Sequence, residues 1–322
     1  MPQSVINKVT QNAAGNYSAG TGKFDPGKIR GAILHPYDAD LLSTADLATA
    51  ATRKTALQSL LTNQTYGSRA FFIHKLHMPT SNGEAPARET RGQLKTFTDK
   101  GSWDMTFVVE CTWAEYQSLQ NFHLRKGYLV AFIDENWNLQ HLTTDTGICG
   151  LTIHQLEVLP FEEPDQGKAV KYQLRIALAD IDEKKKAKHT DLGFNPFHPL
   201  QGLRGVEDTV LENITTGSTP GVFDIALKSI DGQVNLVSKY AAILNVVTAW
   251  KLVNASGAAV TISGVTIKSE GTEKVAFTLT CTTTGAYGTA GDKLYLQQAD
   301  IATLAGLGVK YHESNVLTIT AS

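Results

Sequence analysis

Between Gly92 and Asp182 the sequence sets apolar runs against short polar breaks: MTFVVEC, YLVAFI, LTIHQLEVL and VKYQLRIALAD. Runs of this length, rich in Val, Ile, Leu and Phe and bounded by turn residues, form strands that bury part of a sheet. One helix is inserted among them. Thr112 and Glu115 are spaced as a capping box, Arg125 and Lys126 stand where the helix dipole favours cations, and Gly127 sits where a left-handed cap belongs. No catalytic constellation accompanies the pattern. The chain reads as mainly β with flanking helices (α+β), and as a building block rather than an enzyme.

The chain has 322 residues, enough for about two domains. Its formal net charge of -2 offers no electrostatic grip on nucleic acid. Cys111, Cys149 and Cys281 are widely spaced and odd in number, which matches neither a disulfide framework nor a metal site. The first residues lack an apolar signal-peptide core, so cytoplasmic synthesis without secretion is expected.

Residues 1–27, polar and rich in Gly, Asn, Ser and Thr, read as an extended arm. A main domain is expected over 28–205. It opens with a strand, KIRGAILH, and continues with a helix over Leu47–Leu61 behind an S-x-x-D box at Ser43 and Asp46. RAFFIHKLH then reads as one strand, and Met78–Arg91 as a loop that neighbouring subunits would order. Gln93–Glu110 reads as a hairpin turning at Asp99, Lys100 and Gly101. A second hairpin spans Tyr128–Thr143, and two long strands follow near 150–161 and 168–181. The run KKKAK and the stretch FNPFHPLQGLRG read as a connector. Residues 206–219 are expected to be a linker, and 220–322, with short Thr- and Val-rich strands, a small β-sandwich.

Each motif with chemical potential has a plainer explanation. GKFDPGK at Gly22–Lys28 fits the start of a phosphate-binding loop, but Ile29 replaces the magnesium-holding hydroxyl and no strand precedes it. His74 and His77, three apart on a strand, point to opposite faces and cannot chelate together. Glu162, Glu163 and Asp165 form an acidic loop without calcium-ligand spacing. His198, between Pro196 and Pro199 in a loop, is placed to cap a turn. The KKKAK run is expected to be solvated, and Trp103, Trp113, Trp137 and Trp250 to be core or subunit contacts. No catalytic, cofactor-binding or metal-ligating residue is assigned, and no cofactor is expected.

The order of elements at 92–182 resembles the tail tube and tube-like structural proteins of tailed bacteriophages. The features that carry the likeness are a hairpin ending at MTFVVEC, the helix TWAEYQSLQNFHLRKG and the strands YLVAFI, LTIHQLEVL and VKYQLRIALAD. The resemblance implies a β-sandwich or barrel subunit of tube type with a flanking helix, assembling into homohexameric rings that stack. The segment from Pro220 looks like the immunoglobulin-like domains that decorate such proteins, with Gly291 and Asp292 before the strand at Lys293. Implied partners are further copies of the chain, other tail or head–tail proteins and DNA in passage, with no membrane. The implied location is the virion tail, after synthesis in the host cytoplasm. A head–tail ring or capsid-associated protein, and a carbohydrate-binding or adhesive β-sandwich module, are the alternatives. A DNA conduit needs a neutral or acidic lining, because a basic one holds phosphate. Asp104, Glu110 and Glu157 are the candidate lining carboxylates.

Overall fold

The computed structural model describes residues 27–84, 88–91, 94–97, 101–162, 171–198, 201–215, 219–230, 234–281, 292–309 and 312–320. The chain divides between Gly205 and Val206 into two compact units. It is mainly β, with several sheets.

In the first unit, β1 (Ile29–Pro36) leads to the two-residue β2 (Leu42–Ser43) and helix α1 (Ala50–Leu61). The helix starts later than the S-x-x-D box predicts. Ser43 Oγ does donate to Asp46 Oδ2 at 2.6 Å, but that bond closes a turn ahead of a single 3-10 turn at Asp46–Ala48. The working cap is Thr49, whose hydroxyl accepts from Thr52 N at 3.1 Å while Thr52 Oγ1 accepts from Thr49 N at 3.0 Å.

The expected single strand RAFFIHKLH is two, β3 (Phe71–Ile73) and β4 (Leu76–Ser81). Lys75 between them has φ of 59°, a left-handed conformation that interrupts pleating. The hairpin expected at Gln93–Glu110 is also corrected. Strands β5 (Arg88–Arg91) and β6 (Leu94–Phe97) pair with each other, whereas β7 (Asp104–Val109) pairs with β4. Gly101 has the positive φ its sequence context suggested, 74°, but bends the chain between β6 and β7. Two segments expected as loop, the ends of Met78–Arg91, are therefore strand.

Helix α2 (Trp113–Gln120) carries the predicted capping box, with Thr112 N donating to Glu115 Oε2 at 2.7 Å and Glu115 N to Thr112 Oγ1 at 3.3 Å. It ends at Gln120, earlier than expected. Gly127, at φ of 90°, precedes the next strand instead of capping the helix. The remaining strands of this unit are β8 (Tyr128–Asp134), β9 (Asn138–Thr143), β10 (Gly147–Cys149), β11 (Leu151–Glu162), β12 (Lys171–Leu178) and β13 (Lys188–Asp191). A short helix α3 (Ile181–Lys186) separates β12 from β13.

The main sheet runs β2-β10-β9-β8-β11-β12-β7-β4, with β1 joining β3 to β8 and β13 joining β9. Strands β1 and β8 are buried on both faces, which is why YLVAFI is continuously apolar. Ala32, Leu34, Val130 and Phe132 enter a core with Phe107, Leu156, Leu174 and Ile176. Ile33, Ala131 and Ile133 enter a second core, closed by Leu57 and Leu61 of α1. β11 serves both parts of the sheet. Its start pairs with β8 through Leu151↔Val130, and its remainder pairs with β12. A Cβ on Gly150 would meet Val130 backbone atoms at 2.7–2.8 Å, so only glycine permits that crossing.

In the second unit, Glu207–Asn213, read from the sequence as linker, forms strand β14. There follow β15 (Val222–Ser229), α4 (Val237–Leu244), β16 (Trp250–Asn254), β17 (Ile262–Glu270), β18 (Glu273–Cys281), β19 (Lys293–Gln298), α5 (Ile301–Leu307), β20 (His312–Ser314) and β21 (Leu317–Thr320). One sheet is ordered β17-β18-β15-β14-β20 and the other β16-β19-β21. Both contribute to one core, where Trp250 meets Phe277 at 5.2 Å between ring centroids and donates its indole N–H to Leu244 O at 2.9 Å.

Candidate assembly surface

Two ladders fall between Leu76 and Val109. β4 pairs with β7 from Leu76↔Val109 to Ser81↔Met105. Beyond it Asn82 N donates to Asp104 O at 2.8 Å, and Ser102 N to Glu84 O at 3.1 Å. Glu84 N donates in turn to Ser102 Oγ at 3.0 Å. A separate ladder runs from Arg88↔Phe97 to Arg91↔Leu94. Together the described strands between Leu76 and Val109 form the β-arm: β4 and β7 make its inner ladder, part of the main sheet, and β5 and β6, nested between them in sequence, make the outer one. Its outer ladder, β5–β6, pairs with no other strand among the described residues. An isolated two-stranded ladder is marginal in water and gains stability when something packs or pairs with it.

At the root of the arm, the face of β11, β12, β7 and β4 opposite the core is polar. Glu157, Arg175, Thr106 and Thr80 occupy one cross-strand row. Arg175 makes a forked contact with the nearly buried Asp104, its Nε lying 3.0 Å from both carboxylate oxygens and its Nη2 2.5 Å from Oδ2. Its Nη1 reaches Glu157 Oε2 at 3.4 Å. Hydrogen bonding to Asp104 and the two negative charges raise the guanidinium pKa. Glu110 lies farther along the same face. Lys75 Nζ contacts its Oε1 at 3.4 Å and His77 Nε2 its Oε2 at 3.3 Å. Hydrogen bonding to Lys75 comes first among the causes that hold its carboxyl below the usual range. His77 Nδ1 in turn faces Arg30 Nη1 at 2.8 Å, which makes Nε2 the protonated nitrogen that donates to Glu110. The three expected lining carboxylates therefore share a face, and each carries a cationic partner. That face is close to charge-balanced.

At the end of the core side of the sheet, opposite the polar face, lies an aromatic cluster. Tyr116 stacks on Tyr172 at 4.8 Å, and Trp113 meets Phe161 edge-on at 5.2 Å. Trp113 is 48% exposed and Phe161 37%. Tyr116 is tied down, its hydroxyl donating to Leu159 O at 2.8 Å.

The other motifs resolve into structural roles. Gly22–Pro26 of the phosphate-loop match lies outside the described residues. Gly27 N donates to Asp134 Oδ2 at 3.1 Å and Lys28 N to Glu135 Oε1 at 3.2 Å, so these amides serve the β8–β9 turn. His74 is half-buried and packs edge-on against Phe72 at 5.9 Å. His198 Nδ1 accepts from Gln201 N at 3.0 Å. Glu162 ends β11, opposite Lys171, while Glu163 and Asp165 lie outside the described residues. Trp137, with φ of 64°, closes the β8–β9 turn and is partly exposed.

The KKKAK run departs most from expectation. Lys185, Lys186 and Lys188 are exposed, as expected, but the run is structured and not a connector: Lys184–Lys186 end α3 and Lys188 opens β13, which pairs with β9. Lys184 lies over the rings of Trp103 and Phe132, 4.9 Å from each centroid, and hydrogen-bonds Gln140 Oε1. Burial pushes its ammonium down to about 8.

Among the described residues, no group of three or more His, Cys, Asp and Glu side chains is placed to hold a metal ion. No helix there is long and apolar enough to cross a membrane. No protein-family model, no curated protein and no solved structure matches the chain. The β-arm is the feature the sequence reading missed. Its sequence signal was weak: RETR and LKTF, on either side of Gly92 and Gln93, hold only Thr90, Thr96 and Phe97 as residue types enriched in strands.

Proposed function

We propose that the chain is a non-enzymatic virion structural protein, a tail tube subunit whose rings stack into a conduit for DNA. The observation that carries this reading is the β5–β6 ladder of the arm, which pairs with no other strand among the described residues. Unpaired strand edges are templates for pairing with another chain, and a closed assembly satisfies them. The polar face at the arm's root suits a channel lining, since its carboxylates and cations offset one another and leave little net attraction for phosphate. The exposed Trp113 and Phe161 suit a contact between copies, where aromatic anchors contribute strongly. The second unit is read as an immunoglobulin-like decoration.

Electron microscopy of the purified chain tests the reading. Rings or tubes with an open channel are expected, and they should be lost when Arg88–Phe97 is replaced by a tight turn. A chain that stays monomeric at high concentration, or an oligomer without a channel, would overturn it.

A further inference from the structure

We propose that Asn82 is a self-modifying site, at which the exposed Asn82-Gly83 pair in the β-arm converts slowly to aspartate and isoaspartate. This is the one Asn-Gly sequence in the chain. The reaction is intramolecular. The backbone nitrogen of Gly83 attacks Cγ of Asn82, a N–Cγ bond forms, and Nδ2 departs as ammonia, taking the Gly83 amide proton. Water then opens the resulting imide at either carbonyl, giving aspartate or isoaspartate at position 82. No oxidant or other co-reactant enters.

Three observations place the reaction here. On an antiparallel edge strand alternate N–H groups point away from the partner strand. Asn82 N is used inward, to Asp104 O, as is Glu84 N, to Ser102 Oγ. The Gly83 N–H between them faces the open edge and has no hydrogen-bond acceptor among the described residues. Second, Asn82 is exposed, and glycine at the next position leaves the attacking nitrogen unhindered. Glycine is required there, because a Cβ on Gly83 would collide with Ser102 O. Third, among the described residues one hydrogen bond restrains the side chain: Asn82 Nδ2 donates to Thr106 Oγ1 at 2.7 Å. Attack requires that bond to break. Conversion adds a negative charge beside Asp104, and the isoaspartate form inserts an extra main-chain atom into the ladder at Glu84 and Ser102. The site follows from the arm's geometry alone and stands whether or not the chain assembles.

The full chain is incubated in mildly alkaline buffer and its peptides are followed by mass spectrometry. Asn82 is expected to convert before every other asparagine, with ammonia released in step. Thr106→Val, which removes the tether while keeping a strand-forming side chain, should speed conversion about fivefold, the factor carried by a hydrogen bond of ordinary net strength. Asn82→Gln should abolish the earliest mass change. Conversion of another asparagine first, or a Thr106→Val rate equal to that of the parent chain, would overturn the proposal.

Discussion

His35 and His141 are buried, and burial lowers each imidazole pKa from the usual 6.5 to about 4. His35 Nε2 accepts from Gly150 N at 2.8 Å, while His141 Nε2 meets Thr190 Oγ1 at 2.9 Å. Unfolded, both rings bind a proton near 6.5; folded, they resist until about 4. The unfolded state therefore binds more protons across that window. Stability is full above 6.5 and falls as pH drops towards 4, by at most ~3 kcal/mol for each ring. Urea unfolding measured through this range should show the loss, and His141→Gln should make it shallower. An unchanged slope in the variant would contradict this account. Neither histidine announced itself in sequence. A buried imidazole is marked by what surrounds it, and those neighbours, Gly150 and Thr190, lie far away along the chain.

At the scale of elements, legibility followed locality. The capping box of α2 was readable because Thr112 and Glu115 satisfy each other within one turn. The β8–β9 hairpin was readable from two apolar runs around Asp134, Glu135 and Asn136. The start of α1 was not, since Ser43–Asp46 and Thr49–Thr52 offer competing boxes and only the second continues as helix. The charged run in α3 misled for a different reason. A lysine's stem and ammonium pack on aromatic rings when tertiary structure supplies them, and Trp103, just before β7, and Phe132 of β8 are distant in the chain. Lys184 yields a prediction with a definite sign. Its folded pKa of about 8 lies below the ordinary 10.5, so the unfolded state binds more protons between those values and stability rises with pH across them. Lys184→Met, which keeps the stem and removes the charge, should leave the protein as stable or more so at neutral pH, by up to about 2 kcal/mol. A clear drop in thermal midpoint would show that the contact with the two rings outweighs desolvation.

For the whole molecule, the sequence located the change of unit but placed the second unit's start too late. Residues 207–213 look like linker because their inward positions are few: Thr209 and Leu211 are buried and their neighbours exposed or half-buried. The strand owes its place to partners on both sides, β15 antiparallel and β20 parallel. Helices α4 and α5 also went unread, their Val, Leu and Ala residues blending into a β-rich stretch. A fragment of residues 206–322 should unfold cooperatively on its own. A fragment beginning at Pro220, lacking β14 and Leu211 from the core, should show a broad transition or none. Equal, sharp melting of both fragments would mean that β14 contributes nothing to the unit.

β11 has a mechanical consequence. It continues the ladder from the arm's side of the first unit directly into β8, so a pull on β4 is borne in shear by backbone hydrogen bonds through β7, β12 and β11 to β8, and from there to β1. No loop lies in that path to stretch first. Such a strand has no private opening event, because freeing Leu151 from Val130 disturbs both cores that β8 separates. Amide exchange should report this: the first residues of β11 and the centre of β8 should exchange together and slowest, at the free energy of global unfolding, while the outer ladder of the arm exchanges fast.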